Sequence, residues 1–404
     1  MVDRAEVVVI GAGVLGCAVA LHLLQAGVRD VRVVERDDVG QGTTAAGGGF
    51  LGHWAPYENE LEASRYGRDF YAGLHRDGHD IDFKANAMLY VAASAAAWET
   101  LNADEQGAAT IVGPAEVEAR TAGVVRAERV FGGLLDESGA QVHAPKVVAV
   151  LAERVRAAGG VIDTRRPVTG LTVRSGRVRA VETARGRVDC EAVVLAAGAW
   201  NSELVASLGF FLPVVAQVTS RIITGSRGVP DTLPTLFLSG LAPDEPGGGT
   251  MLWVRGHDDG LLWGGTYDVF PRNVLVDAPV PDRLDDLPID GVLEILRIAE
   301  RGAAVSPALA ARTRLHVKHG APCYTPDMRA VVGEVPGVAG AYVLSGDNEA
   351  GITYGPGYAR ALTKRITGGP SESAQVDAWR PDRFGGRFTN QRQIHEALAE
   401  YDWT

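Results

Sequence analysis

Three glycines and one acid near the start of the chain have the spacing of a nucleotide-binding turn. Gly11, Gly13 and Gly16 follow the apolar residues 7–10. Gly11 permits a tight turn, Gly13 lets backbone N–H groups approach a pyrophosphate, and Gly16 lets a helix pack closely on the preceding strand. Glu35 comes 19 residues after Gly16, close to the spacing of about 20 expected for an acid that accepts ribose hydroxyls. The pattern predicts a bound dinucleotide, and the alternative is a glycine-rich structural turn.

The elements around this motif must form a strand, a helix and a second strand. Residues 7–10 and 31–34 are short β-branched runs, and the glycine turn opens the helix between them. Residues 192–197 and 341–345 are similar apolar runs, typical of parallel strands buried on both faces. Between them, from about residue 214 to 320, alternating strands and Pro/Gly-rich loops favour an antiparallel sheet. This order predicts two interleaved domains.

Other elements follow from hydrophobic periodicity and turn residues. The pattern predicts helices over 60–76, 93–105, 145–158, 291–301 and 358–366, and strands over 87–92, 161–164, 168–173, 178–183, 187–190, 217–224, 250–254 and 261–265.

Composition restricts the class of protein and its partners. The 404 residues are 46% hydrophobic and 22% charged, with a formal net charge of −11. A negative chain is a poor ligand for nucleic acid or an anionic membrane. Three separated cysteines without a CxxC pair argue against a disulfide framework or a zinc site, and fit a reducing compartment. No charged-then-apolar leader is recognisable. We therefore expect a cytoplasmic protein without a bound metal.

Several motifs, taken in order, resemble those of the D-amino-acid oxidase/glycine oxidase/sarcosine oxidase family of FAD enzymes. They run from residue 7 to about 384. They are the N-terminal fingerprint, the 42–44 Gly-Thr-Thr loop, the 196–200 Ala-Ala-Gly-Ala-Trp turn, the 253–266 hairpin, the 325–327 Thr-Pro-Asp loop and the glycine segment 346–357. The last segment would offer N–H groups and a helix dipole to the flavin, which favours FAD over NAD.

The resemblance implies the fold class and the cofactor contacts. It implies an α/β protein with a Rossmann-like FAD-binding domain (1–85, 145–213 and 325–384), interleaved with a substrate domain on a mainly antiparallel sheet (86–144 and 214–324) and followed by a tail (385–404). The implied FAD contacts are Gly11, Gly13, Val14, Leu15, Gly16, Glu35, Arg36, Gly42, Thr43, Thr44, Gly48, Gly49, Val168, Ala197, Gly198, Trp200, Gly346, Glu349, Ala350, Gly351 and Ile352.

Departures from the family pattern bear on the substrate and on the cofactor linkage. The two arginines that hold a substrate carboxylate in relatives align with Pro322 and Glu349. A site with Asp347 and Glu349 in place of cations is poorly suited to a simple amino-acid carboxylate. It could instead hold a cationic or polar group, or use Arg255 from the other domain, and the alternative is that Glu349 only solvates a loop. Ala46 stands where some relatives tether the flavin by histidine. Cys323 lies three residues from the position of the cysteine tether, so we expect non-covalent FAD.

Flavin amine oxidation needs a pocket that positions the substrate and excludes water. We name His53, Arg255, His319 and Tyr324 as candidate catalytic residues, and Trp54, Trp253 and Tyr354 as candidate substrate contacts. The predicted activity is oxidation of the CH–NH bond of a small amine or modified amino acid to an imine, with O2 or another electron acceptor. The family's oxygen-activating lysine is missing from 261–266, which leaves a dehydrogenase open. Alternatives are a 2-hydroxy acid dehydrogenase, a flavin monooxygenase or a flavoprotein without turnover; homo-oligomerisation is also open.

Overall fold

A computed structural model describes residues 3–52, 57–103, 109–225, 228–241, 251–258, 260–265, 274–275, 279–287, 290–310, 315–369 and 377–401. The helices are α1 (Val14–Gln25), α2 (Glu58–Arg76), α3 (Ala95–Ala103), α4 (Pro114–Arg120), α5 (Ala144–Ala157), α6 (Asn201–Ala206), α7 (Asp290–Gly302), α8 (Gly351–Thr367) and α9 (Gln391–Ala399). The strands are β1 (Asp3–Ile10), β2 (Val31–Val34), β3 (Phe50–Leu51), β4 (Met88–Ala92), β5 (Thr110–Val112), β6 (Gly132–Asp136), β7 (Ala140–Gln141), β8 (Val161–Asp163), β9 (Val168–Arg174), β10 (Arg177–Thr183), β11 (Gly186–Leu195), β12 (Val215–Gln217), β13 (Thr219–Thr224), β14 (Thr235–Ser239), β15 (Leu252–His257), β16 (Gly260–Gly265), β17 (Val274–Leu275), β18 (Leu315–Gly320), β19 (Cys323–Tyr324), β20 (Val331–Glu334) and β21 (Ala341–Ser345).

The first sheet has the order β20-β21-β11-β1-β2-β8, and the β9–β10 hairpin is attached to β11. Its central pairs β21–β11, β11–β1, β1–β2 and β2–β8 are parallel. Helices cover both faces of such a sheet, so its strands must be apolar on both sides. One face packs with α1, α5 and α8 into a continuous core. This arrangement confirms the predicted Rossmann-like α/β unit.

The second sheet has the order β18-β13-β16-β15-β14-β4-β6-β5. All its pairs are antiparallel except β14–β4. One face, which includes Ile222 and Trp263, packs against α7. The other face carries Trp253, Leu262 and Ile223, and it contacts Phe50 of the first unit. The mainly antiparallel sheet is as predicted, while the residue limits of the two domains remain a prediction.

The observed elements correct three sequence-based boundaries. The strands predicted over 187–190 and 192–197 are one strand, β11, which pairs antiparallel with β10 and parallel with β1. The strand predicted over 217–224 is two strands in different sheets, β12 and β13. The helix predicted over 358–366 begins at Gly351, because packing against α1 and α2 outweighs the unfavourable helix propensity of Gly355 and Pro356.

No helix in the described part of the chain combines the length and the apolar character that crossing a membrane requires.

The N-terminus of α5 carries a pH-sensitive cap. The Nδ1 atom of His143 accepts a hydrogen bond from the Lys146 amide at 3.3 Å, and its ring stacks on His257 with centroids 5.2 Å apart. Burial, together with neighbouring His257 and Arg255, lowers the pKa of His143 from 6.5 to about 4. Because the folded-state pKa is below the ordinary one, the stabilisation is complete above pH 6.5 and is lost as the pH falls towards 4.

We expect His143→Asn to reduce this acid sensitivity. Asparagine accepts the same amide hydrogen bond but does not titrate, whereas a protonated histidine cannot accept it. Between pH 7.5 and 5, the free energy of urea unfolding should fall by about 1 kcal/mol more in the natural protein than in the variant. Over this range the unfolded histidine takes up a proton while the folded one stays neutral, and solvent screening of the half-buried ring keeps the loss below the full value of the pKa shift. Equal losses in both proteins would contradict this role.

Candidate flavin and substrate site

The glycine turn between β1 and α1 has the close contacts predicted for it. Gly11 has φ +104°, and a Cβ atom there would lie 2.5 Å from the carbonyl oxygen of Ala196, the residue that follows β11. A Cβ at Gly16 would overlap the Gly11 carbonyl oxygen. Gly13 is the N-cap of α1 and provides no side-chain cap. The first-turn N–H groups of a helix suit an anion such as a pyrophosphate.

Glu35 is held against this turn by two backbone amides. Its Oε2 accepts from the Ala12 N–H at 2.7 Å, and its Oε1 accepts from the Asp37 N–H at 2.8 Å. Each carboxylate oxygen can accept a second hydrogen bond, so ribose hydroxyls can bind without displacing the amides.

Arg36 and Trp200 form the next part of this surface. The Arg36 guanidinium lies over the Trp200 ring, 4.3 Å from its centroid, and donates to the Asp282 carbonyl at 2.8 Å. The Trp200 Nε1 atom is buried and has no hydrogen-bond partner within the described residues. Gly42 approaches the same ring, where a Cβ would lie 3.9 Å away. A buried donor without an acceptor is costly unless a ligand supplies one, so these residues fit a nucleotide.

Residues 42–49 form a loop, which we call the threonine loop, that contacts the N-terminus of α1 and the chain just after β18 of the second sheet. Thr44 Oγ1 accepts from the Val14 amide at 3.1 Å, and Thr43 Oγ1 accepts from the Ala321 amide at 2.9 Å. The following glycines continue the close approach: a Cβ at Gly48 would lie 2.6 Å from the Phe50 ring, and Gly49, with φ +72°, lies against the Val142 carbonyl. A larger side chain does not fit at Gly49, because the obstacle is backbone, whereas at Gly48 the Phe50 ring would have to move.

The C-terminal glycine segment, residues 346–357, follows β21 and lies beside the threonine loop. Gly346 turns the chain with φ +62°, and Ala350 is the N-cap of α8. Gly351 lies against the Asp347 carboxyl, and Ile352 contacts Gly47 of the threonine loop. Burial raises the pKa of Asp347 to about 6. The N-termini of α1 and α8 therefore meet near one loop, a suitable setting for an anionic or electron-rich ligand.

The remaining predicted cofactor contacts lie in or beside the first sheet. Ala197 follows β11 and donates its N–H to Asn201 at 2.8 Å. Gly198 has φ +58° and begins the short 3₁₀ helix Gly198–Trp200. Val168 opens β9, and Leu15 packs on Gly355 of α8. Together with the glycine cradles and the unpartnered Trp200 nitrogen, these positions fit FAD.

A buried polar cluster joins the second sheet to the C-terminal glycine segment. Arg221 of β13 forms an ion pair with Glu349 Oε1, and the Tyr324 hydroxyl donates to Glu349 Oε2 at 2.6 Å. The Arg221 guanidinium also lies 4.8 Å from the centroid of the Trp253 ring. A Cβ at Gly264 would come within 2.8 Å of that ring and 3.1 Å of Arg221. We call Arg221, Tyr324 and Glu349 the Glu349 cluster.

Arg221 is the functional candidate that the sequence analysis missed. It is 3% exposed, and its Nε atom has no hydrogen-bond partner in the described structure. An arginine directly before Ile222 and Ile223 in a predicted strand was a signal of a buried charge. Only the pairing of β13 with β16 brings Arg221 opposite the small residue Gly264. The same pairing leaves room for its guanidinium above Trp253.

Other predicted catalytic residues are placed differently. Arg255 is buried and donates to the backbone carbonyls of Val142 and Gly256, and burial lowers its pKa to about 10. His319 hydrogen-bonds Ser220 at 3.0 Å. Because neighbouring residues of a strand face opposite sides, His319 and Ser220 lie on the sheet face opposite Arg221. The structure therefore does not bring Arg255 or His319 into the Glu349 cluster.

The predicted substrate residues are only partly described. Trp54, and the predicted catalytic residue His53, lie outside the described residues. Trp253 contacts the cluster, and Tyr354 is buried in the first turns of α8. Burial raises the pKa of the Cys323 thiol to about 12.

Comparisons with known proteins agree with this architecture. The family model described as "FAD dependent oxidoreductase" matches residues 6–365. The chain is 26% identical to 4-methylaminobutanoate oxidase (formaldehyde-forming) of Paenarthrobacter nicotinovorans and 24% identical to human mitochondrial dimethylglycine dehydrogenase. These matches cover 98% and 99% of this chain but 48% and 46% of the relatives, so the chain spans about half their length.

The solved structures show the same fold. L-proline dehydrogenase from P. horikoshii superposes with a TM-score of 0.80 at 18% identity, covering 95% of this chain and 99% of that one. Iminodiacetate oxidase from Chelativorans superposes with a TM-score of 0.76 at 23% identity, covering 93% and 99%. The family match, together with a site that fits the cofactor, leads to one conclusion. The chain belongs to the FAD-dependent oxidoreductase family, and FAD is its cofactor.

Proposed function

We propose that this protein oxidises the CH–NH bond of a small amine or modified amino acid to an imine, with non-covalently bound FAD as the oxidant. The observation that carries this proposal is the buried Glu349 cluster beside Trp253 and the C-terminal glycine segment. A few convergent polar groups in an aromatic, largely buried setting are typical of small-molecule sites. The names of two relatives, 4-methylaminobutanoate oxidase and dimethylglycine dehydrogenase, also describe amine substrates.

When bound, FAD would supply the two-electron acceptor for oxidation of the substrate CH–NH bond to C=N. The chain's own residues orient the substrate and keep water out. Trp253 is 1% exposed and Tyr354 is buried, and in this proposal they supply the apolar side of the substrate site. Arg221 and Tyr324 fix the carboxylate of Glu349 as the polar end of the pocket.

Two features support the finer parts of the proposal. Cys323 is a poor candidate for a flavin tether because its buried thiol, with a pKa of about 12, stays protonated at neutral pH. Leu262 packs with Trp253 on the face of the second sheet that contacts Phe50, and residues 261–266 contain no lysine at the position of the family's oxygen-activating residue. The acceptor that reoxidises the flavin is O2 or another electron carrier.

Anaerobic reduction of the FAD-loaded protein tests this function. We expect N-methylated amines to bleach the visible flavin absorption, because their oxidation transfers two electrons to the cofactor. Lactate and glycolate, which offer a CH–OH bond, serve as the comparison and should leave the colour unchanged. Admitting air after bleaching then distinguishes rapid oxidase turnover from a dehydrogenase. Bleaching by the hydroxy acids alone would contradict the amine assignment.

A further inference from the structure

We propose that Glu349 is the specificity residue of this enzyme: its carboxylate binds the substrate's amine, and the site selects amines whose reacting nitrogen has no adjacent carboxylate. This inference rests on the proposed amine oxidation and names the substrate class within it. It predicts that sarcosine, whose carboxylate is one carbon from the nitrogen, is a poor substrate.

The first support is the arrangement of charge in the Glu349 cluster. Both oxygens of Glu349 are already bound, one by Arg221 and one by the Tyr324 hydroxyl at 2.6 Å. The Arg221 side chain is 4% exposed, while that of Glu349 is 26% exposed. The accessible end of the ion pair is therefore the carboxylate. Each of its oxygens retains capacity for one more donor, which an amine N–H supplies.

The ion pair also neutralises the positive charge of Arg221, which would otherwise be available to bind a substrate carboxylate. A guanidinium binds a carboxylate strongly when both partners are free to form the bidentate pair. Arg221 is already paired with Glu349, so its net contribution is neutral. An incoming carboxylate would meet the negative charge of Glu349. Like charges in a buried setting disfavour binding.

Two other cations in the described part of this sheet, Arg255 and Lys318, do not replace it. Arg255 is committed to the carbonyls of Val142 and Gly256. Lys318 is the cross-strand neighbour of Arg221 in the pairing of β13 with β18, and it is exposed. Directly opposed residues share a sheet face, so Lys318 suits only a carboxylate that lies several bonds from the amine.

The backbone at Glu349 supplies an independent indication. Glu349 has φ +69° and the preceding Asn348 has φ +48°, in the left-handed region that favours glycine. Asn348 is held there by its side chain, which accepts from the Thr325 amide at 2.9 Å and donates to the Gly346 carbonyl at 2.8 Å. Such strain is found mainly at functional sites. Here it directs the carboxylate to Arg221 and Tyr324.

Three N-methyl amines that differ only around the carboxylate test the inference. They are sarcosine, 4-methylaminobutanoate and N-methylbutylamine, each titrated anaerobically into the FAD-loaded protein, with dissociation constants and reduction rates measured from the flavin spectrum. We expect the second and third to bind and reduce the flavin at least about tenfold better than sarcosine, the size of one charge-assisted hydrogen bond.

Glu349→Gln should reduce that preference at least about tenfold while keeping the shape of the side chain. The matched control is Glu153→Gln on the exposed side of α5, which should keep the preference unchanged. Tyr324→Phe removes one hydrogen bond to Glu349 but keeps the carboxylate. It should also reduce the preference, by about threefold. It serves as the test if Glu349→Gln fails to retain FAD.

The results separate this inference from the proposed function. A natural enzyme that prefers sarcosine, or a Glu349→Gln enzyme with the natural preference, would overturn the role of Glu349 while leaving amine oxidation in place. If none of the three amines reduces the flavin and a hydroxy acid does, the proposed function itself is wrong. A visible spectrum and a melting curve with FAD verify that each variant is folded and loaded.

Discussion

Replacing Gly11 with alanine is expected to abolish FAD binding. At φ +104° the new Cβ atom would lie 2.5 Å from the Ala196 carbonyl oxygen and 2.9 Å from its carbon. Both atoms belong to backbone at the end of the central strand β11, so neither can rotate away. The turn must shift, and with it the N-terminus of α1 that receives the pyrophosphate. We expect FAD affinity to fall more than about hundredfold, which corresponds to about 2.7 kcal/mol.

Gly27→Ala is the matched control for backbone strain. Gly27 also has positive φ, +93°, but a Cβ there meets nothing within 4 Å. Both variants carry the strain of a left-handed alanine, about 1–2 kcal/mol, and only Gly11→Ala adds the steric overlap. FAD binding is measured by titrating the apoprotein, and stability by urea unfolding. Equal FAD affinities in the two variants would contradict the argument.

Replacing Glu35 with alanine should produce the second large loss of FAD affinity. The change removes the acceptor for the Ala12 amide at 2.7 Å and the proposed acceptor for the adenosine ribose. Hydrogen bonds to a charged group are each worth about 1.5–3 kcal/mol, so we expect FAD affinity to fall about hundredfold. FMN has no adenosine, and its weaker binding should change only a few-fold. The ratio of the two dissociation constants is therefore the diagnostic measurement.

Glu6→Ala provides the control for a lost carboxylate in the same unit. Glu6 lies on β1 and accepts a hydrogen bond from the Arg29 amide at 3.3 Å. Its side chain is exposed, and it precedes the glycine turn by five residues. It should leave both affinities unchanged. If Glu35→Ala weakens FMN as strongly as FAD, Glu35 acts by ordering the turn and not by binding the ribose.

The nucleotide half of the molecule was predictable because its signals are local. A β-branched run, three spaced glycines and an acid lie within 35 residues, and the close contacts at Gly11 and Gly16 are between neighbouring parts of that unit. The α/β fold followed for the same reason, since each buried parallel strand is a short continuous apolar run.

Boundaries and sheet membership were less predictable because distant contacts decide them. Nothing in residues 217–224 indicates that the chain leaves one sheet and enters another after Gln217. Likewise, α8 extends over Gly355 and Pro356 because Gly355 packs on Leu15 and Gly357 packs on Ala63. A propensity argument stops the helix at these residues, whereas the close approach of α1 and α2 requires them to be small.

The sequence alone determined the Rossmann-like unit and the close glycine contacts of its N-terminal turn, because those depend on a backbone shape that only glycine allows. It also indicated that Glu349 stands where relatives carry arginine. Only the tertiary structure brought Arg221 to that carboxylate, from a strand 128 residues away in the chain, and turned Arg255 and His319 elsewhere. Strand register decides which side chains share a face, and no local pattern encodes the register of two strands so far apart.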